Sequence, residues 1–125
     1  MWIYSNPNPD KKLVGDCVIR AICLLTNKDW DTVYTALAFQ GLLMRDMPSS
    51  NAVWGKYLSD RSFRRYIIQD LCPYCYTVKA FCKDHPYGEF LLGTGTHVVA
   101  VIDGDYYDTS DSGDEVPICY WRKEI

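Results

Sequence analysis

The sequence predicts a single α+β domain, with helices grouped first and an antiparallel sheet built from the later residues. Three observations carry that reading. Between Cys17 and Leu58, apolar residues recur at helical spacing, as in Val18, Ile19, Ile22 and Leu25. From Phe63 onward the pattern turns to short runs rich in aromatic and β-branched residues, such as His97 to Asp103. Asp103-Gly104 lies between two such runs, and this dipeptide favours a two-residue hairpin turn because both positions take positive φ.

The elements follow in order. Asp16 precedes a helix over Cys17 to Thr26 and can cap it, its carboxylate accepting from free N–H groups of the first turn. That helix is apolar on most of its surface, which predicts a central place. A second helix starts at Asp29 or Asp31, runs through Val33, Leu37 and Ala38, and stops at Gly41. Pro48-Ser49-Ser50-Asn51 is a loop that ends in capping residues and leads into a third helix carrying Val53, Trp54, Tyr57 and Leu58. Phe63 to Ile68 reads as a strand, and Thr77 to His85 as a short helix ended by Pro86 and Gly88. Glu89 to Gly93 is the next strand. His97 to Asp103 and Asp105 to Ser110 form the hairpin, and Val116 to Arg122 the last strand. No repeat, low-complexity stretch or linker interrupts the 125 residues.

Composition narrows the function classes. With 48% hydrophobic and 23% charged residues, the chain is not a disordered one. A net charge of −3 gives no global basic field for nucleic acid. The longest apolar runs, Ala21 to Leu25 and Val98 to Ile102, are too short to span a bilayer, so no membrane partner is expected. The first residues lack the basic start and apolar stretch of a secretory signal. The expected compartment is therefore the reducing cytoplasm, with the cysteines free.

Three residues carry candidate chemistry. Cys17 opens the central helix, where the positive end of the helix dipole favours the thiolate, the nucleophilic form. His97 follows Gly93-Thr94-Gly95-Thr96 and enters an apolar strand, so it stands at a strand end that can meet a helix N-terminus. The Gly-Thr run lacks the Lys and the following helix of a phosphate loop, and it suits backbone approach to a ligand instead. Asp108 completes the set by register. With Asp103-Gly104 as the turn, Val101 pairs with Tyr106 and Val99 with Asp108, so His97, Val99, Asp108 and Ser110 share one face. An aspartate beside an imidazole fixes its tautomer and stabilises its charged form. Asp111 falls on the opposite face and is the runner-up.

The order Cys, His, Asp, the Gly15-Asp16-Cys17 helix start and the strand from His97 to Gly104 resemble papain-like cysteine peptidases. The nearest likeness is to small bacterial members related to bacteriocin-processing peptidase domains. The resemblance spans Asn8 to Asp111, although its specific residues are few. It implies a papain-like fold, with Cys17 as nucleophile, His97 as base and Asp108 as orienter. It also implies a peptide or protein substrate and no cofactor. Such enzymes carry a Gln about six residues before the Cys, where this chain has Lys11. Asn8, or failing it Asn6, is the candidate amide donor to an oxyanion, with the Cys17 backbone N–H as the second donor. Trp54, Tyr106 and Tyr107 are candidate groove walls.

Two further readings stay open. The same three residues can run acyl transfer, as in transglutaminase- or acetyltransferase-like enzymes. Alternatively the chain is a non-catalytic binding module, either stabilised by zinc on Cys72, Cys75, Cys82 and His85 or carrying a decayed papain-like site. Asp108 to Cys119 resembles a calcium loop only until its last position, where Cys119 replaces the required Glu. Arg61, Arg64 and Arg65 form a local basic cluster, either a solvated face or a grip for an acidic substrate or partner.

Overall fold

Six strands form one mixed sheet that carries helices on both of its faces. The computed structural model describes residues 1–69 and 76–124. The strands are β1 (Trp2–Tyr4), β2 (Phe63–Ile67), β3 (Glu89–Gly93), β4 (Val98–Ile102), β5 (Asp105–Asp108) and β6 (Cys119–Lys123). The helices are α1 (Cys17–Thr26), α2 (Trp30–Met44), α3 (Asn51–Ser59) and α4 (Val78–Asp84). The strand order is β1-β5-β4-β3-β6-β2.

The sheet departs from the expected purely antiparallel one. β1 joins its edge in parallel with β5, while the other neighbours are antiparallel. Trp2-Ile3-Tyr4 has the residue types of a strand, but three residues are too few to display a period of two. The hairpin follows the expected register, with Ile102 opposite Asp105 and Val101 opposite Tyr106. Asp103 and Gly104 take φ of +50° and +82° at its turn.

Alternation along the central strands splits the core in two. Leu91, Val98, Ala100 and Trp121 face α1, α2 and α3, and pack on Ile22, Leu37, Trp54 and Leu58. Phe90, Leu92, Val99 and Val101 face the other way, onto Val78, Phe81 and Cys82 of α4. Burial on both sides explains why β4 is an unbroken apolar run rather than an alternating one. It also corrects the expectation of a single helix layer.

Two boundaries move for local reasons. α2 runs through Gly41 to Met44 and ends on Arg45 in the left-handed region. Gly41 serves a close approach instead, since a Cβ there would lie 2.6 Å from the Asp46 carbonyl oxygen as the chain folds back. β6 starts at Cys119 rather than Val116, because Pro117 has no N–H to give a ladder. Among the described residues, no helix is long and apolar enough to cross a membrane.

Tyr57 gives a stability test. Its buried hydroxyl has no partner among the described residues, while the Arg61 guanidinium lies 3.5 Å over its ring. An unpaired buried hydroxyl costs about 1–3 kcal/mol. Tyr57→Phe is therefore expected to keep or raise the melting temperature in a thermal unfolding scan. A drop of several degrees would reveal a hydrogen bond made by that hydroxyl.

Candidate active site

Cys17 is the first residue of α1, half-buried at the mouth of a cavity of about 550 Å³. Asp16, in the N-cap position, does not cap the helix as expected, for its side chain accepts from no backbone N–H. Its carboxylate turns to Arg20 and to the Trp30 indole N–H, 2.9 Å away. The first intrahelical bond runs from the Arg20 N–H to the Asp16 carbonyl at 2.9 Å. The N–H groups of the preceding turn, that of Cys17 among them, are thus left without a side-chain cap beside the sulfur.

His97 precedes β4 and reaches the α1 side, where it lines the same cavity as Cys17. Its Nε2 lies 2.6 Å from Asp108 Oδ2, which leaves Nδ1 for the sulfur. The His97 imidazole is the largest influence lowering the Cys17 thiol, and Cys17 in turn helps to raise His97. His97 and Asp108 meet, but not through the face expected to be shared with Val99 and Ser110. Val99 points to the α4 side with Val101, whereas His97 lies outside the strand and escapes the alternation. Ser110 does not join the cluster. Ser112 does, its hydroxyl donating to Asp108 Oδ2 at 2.8 Å.

Asp108 is 2% exposed and multiply held. Besides His97 and Ser112, its carboxylate accepts from the Thr109 N–H at 2.7 Å and from Arg20 at 3.3 Å. Its backbone carbonyl accepts from the Trp2 indole at 3.1 Å and the Ser5 N–H at 3.0 Å, so β1 fixes it from the sheet edge. Asp111, the runner-up, instead accepts from the Tyr106 hydroxyl and the Gly113 N–H.

The electrostatics follow from these contacts. Burial pushes the Cys17 thiol up. The His97 imidazole, the Val98 N–H and the Arg20 charge together outweigh burial and hold it below its ordinary value. The Asp108 hydrogen bond, then the one to Cys17, raises His97 to about 10 against its own burial. Burial acts to raise Asp108, but hydrogen bonds from His97, Ser112 and the Thr109 N–H leave it lowered. All three shifts favour the charged forms: thiolate, imidazolium and carboxylate.

Other expected residues fall elsewhere. Asn8 is buried, but its Oδ1 accepts from the Asp10 N–H at 2.9 Å and it does not line this cavity. Asn6 is likewise tied into that loop, its Nδ2 donating to the Lys12 carbonyl at 3.3 Å. The amide that does line the cavity is Asn51, unforeseen in the sequence, with its Oδ1 held by the Trp54 indole at 3.1 Å. Trp54 is a wall as expected. Tyr106 is a core residue of the α4 side, and Tyr107 does not line the cavity.

Of the expected zinc set, Cys72 and Cys75 lie outside the described residues. Cys82 is buried, and the His85 ring stacks on Phe81 at 3.9 Å. Arg20, Trp30 and Ser112 also went unforeseen. The spacing of Asp16 and Arg20, four apart at a helix start, is the one signal that sequence offered for them. Comparison with protein-family models, with curated proteins and with solved structures finds no match.

Proposed function

We propose that this chain is a cysteine peptidase or amidase of papain-like arrangement, acting through a thioester on Cys17. The observation that supports this reading is the row of Cys17, His97 and Asp108 beside an uncapped helix N-terminus and an open cavity. A nucleophile, a base and a group that orients the base are what amide cleavage by a thiol requires.

In this reading the steps are as follows. The Cys17 thiolate attacks the amide carbonyl carbon, forming the C–S bond. The carbonyl oxygen becomes an oxyanion and accepts from the free N–H of Cys17. Collapse breaks the C–N bond while the Nδ1 proton of His97 passes to the leaving amine. His97, now neutral, takes a proton from water as that water attacks the thioester. The C–S bond then breaks, the acid leaves, and the thiolate and imidazolium are restored. Asp108 keeps Nε2 protonated throughout and so presents Nδ1 to each transfer.

An activated ester tests this without knowledge of the natural substrate. With p-nitrophenyl acetate, the protein is expected to release a burst of one nitrophenolate per chain and to carry an acetyl group on Cys17 by mass spectrometry. Cys17→Ala abolishes the burst. Asp108→Asn slows it by about 10³–10⁴, as loss of the correct tautomer does in other triads. Slow release without a burst, equal in the Cys17→Ala variant, would overturn the reading.

A further inference from the structure

The cavity beyond the sulfur has an uneven charge. Its lining includes Lys56, Arg65 and His97, and among the described residues no aspartate or glutamate, in a chain whose net charge is −3. Lys56 is already paired with Asp60 at 2.9 Å. Arg65 makes no ion pair or side-chain hydrogen bond with any described residue.

Strand alternation aims Arg65 there. On the edge strand β2 it shares the face of Phe63, which packs in the core with Trp54 and Trp121, and it pairs across the ladder with Trp121. Trp54 and Trp121 are themselves walls of the cavity. The other two arginines of the basic cluster are differently engaged. Arg61 donates to the Tyr57 carbonyl and covers that ring, and Arg64 lies on the opposite face near the Tyr66 ring. A guanidinium with no carboxylate partner among the described residues, at the edge of an apolar cavity that none of their acids lines, is a ready partner for a planar anion.

We infer that Arg65 selects substrates with a carboxylate close to the scissile bond, so that the preferred substrate is an acidic peptide. This rests on the hydrolase reading, in which the cavity holding Cys17 and His97 is the substrate groove. The carboxylate docks on Arg65 in two parallel hydrogen bonds while the apolar stem of its residue lies along Trp54 and Trp121. Lys56 adds a weaker attraction, since Asp60 already shares its charge.

The test uses two alkylating reagents of matched shape, N-iodoacetyl-glutamate and N-iodoacetyl-glutamine, on the intact protein at pH 6. Cys17 is expected to react about ten-fold faster with the glutamate reagent, the size of effect that one unscreened charge gives near a protein surface. Salt lowers that ratio. Arg65→Gln brings the ratio to near one, whereas Arg64→Gln, the same change on the opposite face, keeps it. The ratio within one variant cancels any change in thiol reactivity. A ratio near one in the wild-type protein, with Cys17 reacting fast, overturns the acidic preference alone. Failure of Cys17 to react with either reagent overturns the hydrolase reading and this inference with it.

Discussion

At pH 6, iodoacetamide is expected to modify Cys17 in the native protein and to leave Cys23 and Cys82 unmodified. The contrast comes from environment, since all three are thiols of one chain. An ordinary thiol near pKa 8.5 is about 0.3% thiolate at that pH, and each unit of lowering raises the fraction about ten-fold. Cys17 is lowered by His97, the Val98 N–H and Arg20 despite its burial. Burial and then the charges of Asp29 and Asp16 push Cys23 up to about 11, and burial raises Cys82. The labelling rate of Cys17 rises as pH climbs through its lowered value and then levels. It changes again only near 10, where His97 loses its proton and the ion pair ends.

His97→Ala is the informative variant. Without the imidazolium, burial is left as the largest influence on Cys17, and the labelling curve moves to higher pH. A shift of two units costs about 10²-fold in rate at pH 6. Peptide mapping by mass spectrometry assigns the modified thiol. Equal, slow labelling of all thiols, or a His97→Ala curve that overlays the wild type, would refute the ion pair.

The residues that make this site differ in how visible they are in sequence. Cys17 at a helix start and His97 at the head of an apolar strand were legible, because a helix cap and an apolar run are local signals. Asp108 was reached by counting from the Asp103-Gly104 turn; the ladder obeys that count as far as Ala100 opposite Tyr107, but the shared face with Val99 that the count relied on is not the one His97 takes. The α1–α3 layer was legible through its 3.6-residue period. The second helical face was not, since α4 has only seven residues and too few turns to advertise a side. β1 was missed for the same reason of length. Asn8 was favoured by its distance from Cys17 along the chain, but its carboxamide completes its own turn with the Asp10 N–H. Arg65 could be seen as part of a cluster, yet only β2 and its partner β6 decide which of three arginines turns toward the cavity.

Arg20→Met is expected to cost about 3–5 kcal/mol of stability, the largest loss from any single side chain outside the apolar core. Arg20 is buried, and its guanidinium joins two carboxylates that are themselves buried, Asp16 on its own helix and Asp108 on β5. It is the ionic link between the helix that carries the thiol and the strand that carries the acid. Two buried carboxylates and one guanidinium give little net stability when complete, because desolvation offsets their attraction. Removal of the shared cation is different, for among the described residues it leaves Asp16 with the Trp30 indole and Asp108 with His97, Ser112 and the Thr109 N–H. For a chain of this length the melting temperature falls by roughly 10–20 °C.

Two companions separate charge from packing. Arg20→Lys keeps the cation but has one compact head where two forked contacts are needed, so it recovers only part of the loss. Asp16→Asn added to Arg20→Met removes one of the stranded charges and is more stable than Arg20→Met alone. A melting temperature for Arg20→Met within about 2 °C of the wild type would show that solvent or another cation reaches both carboxylates. A double variant no more stable than the single one would show that volume, not charge, set the loss.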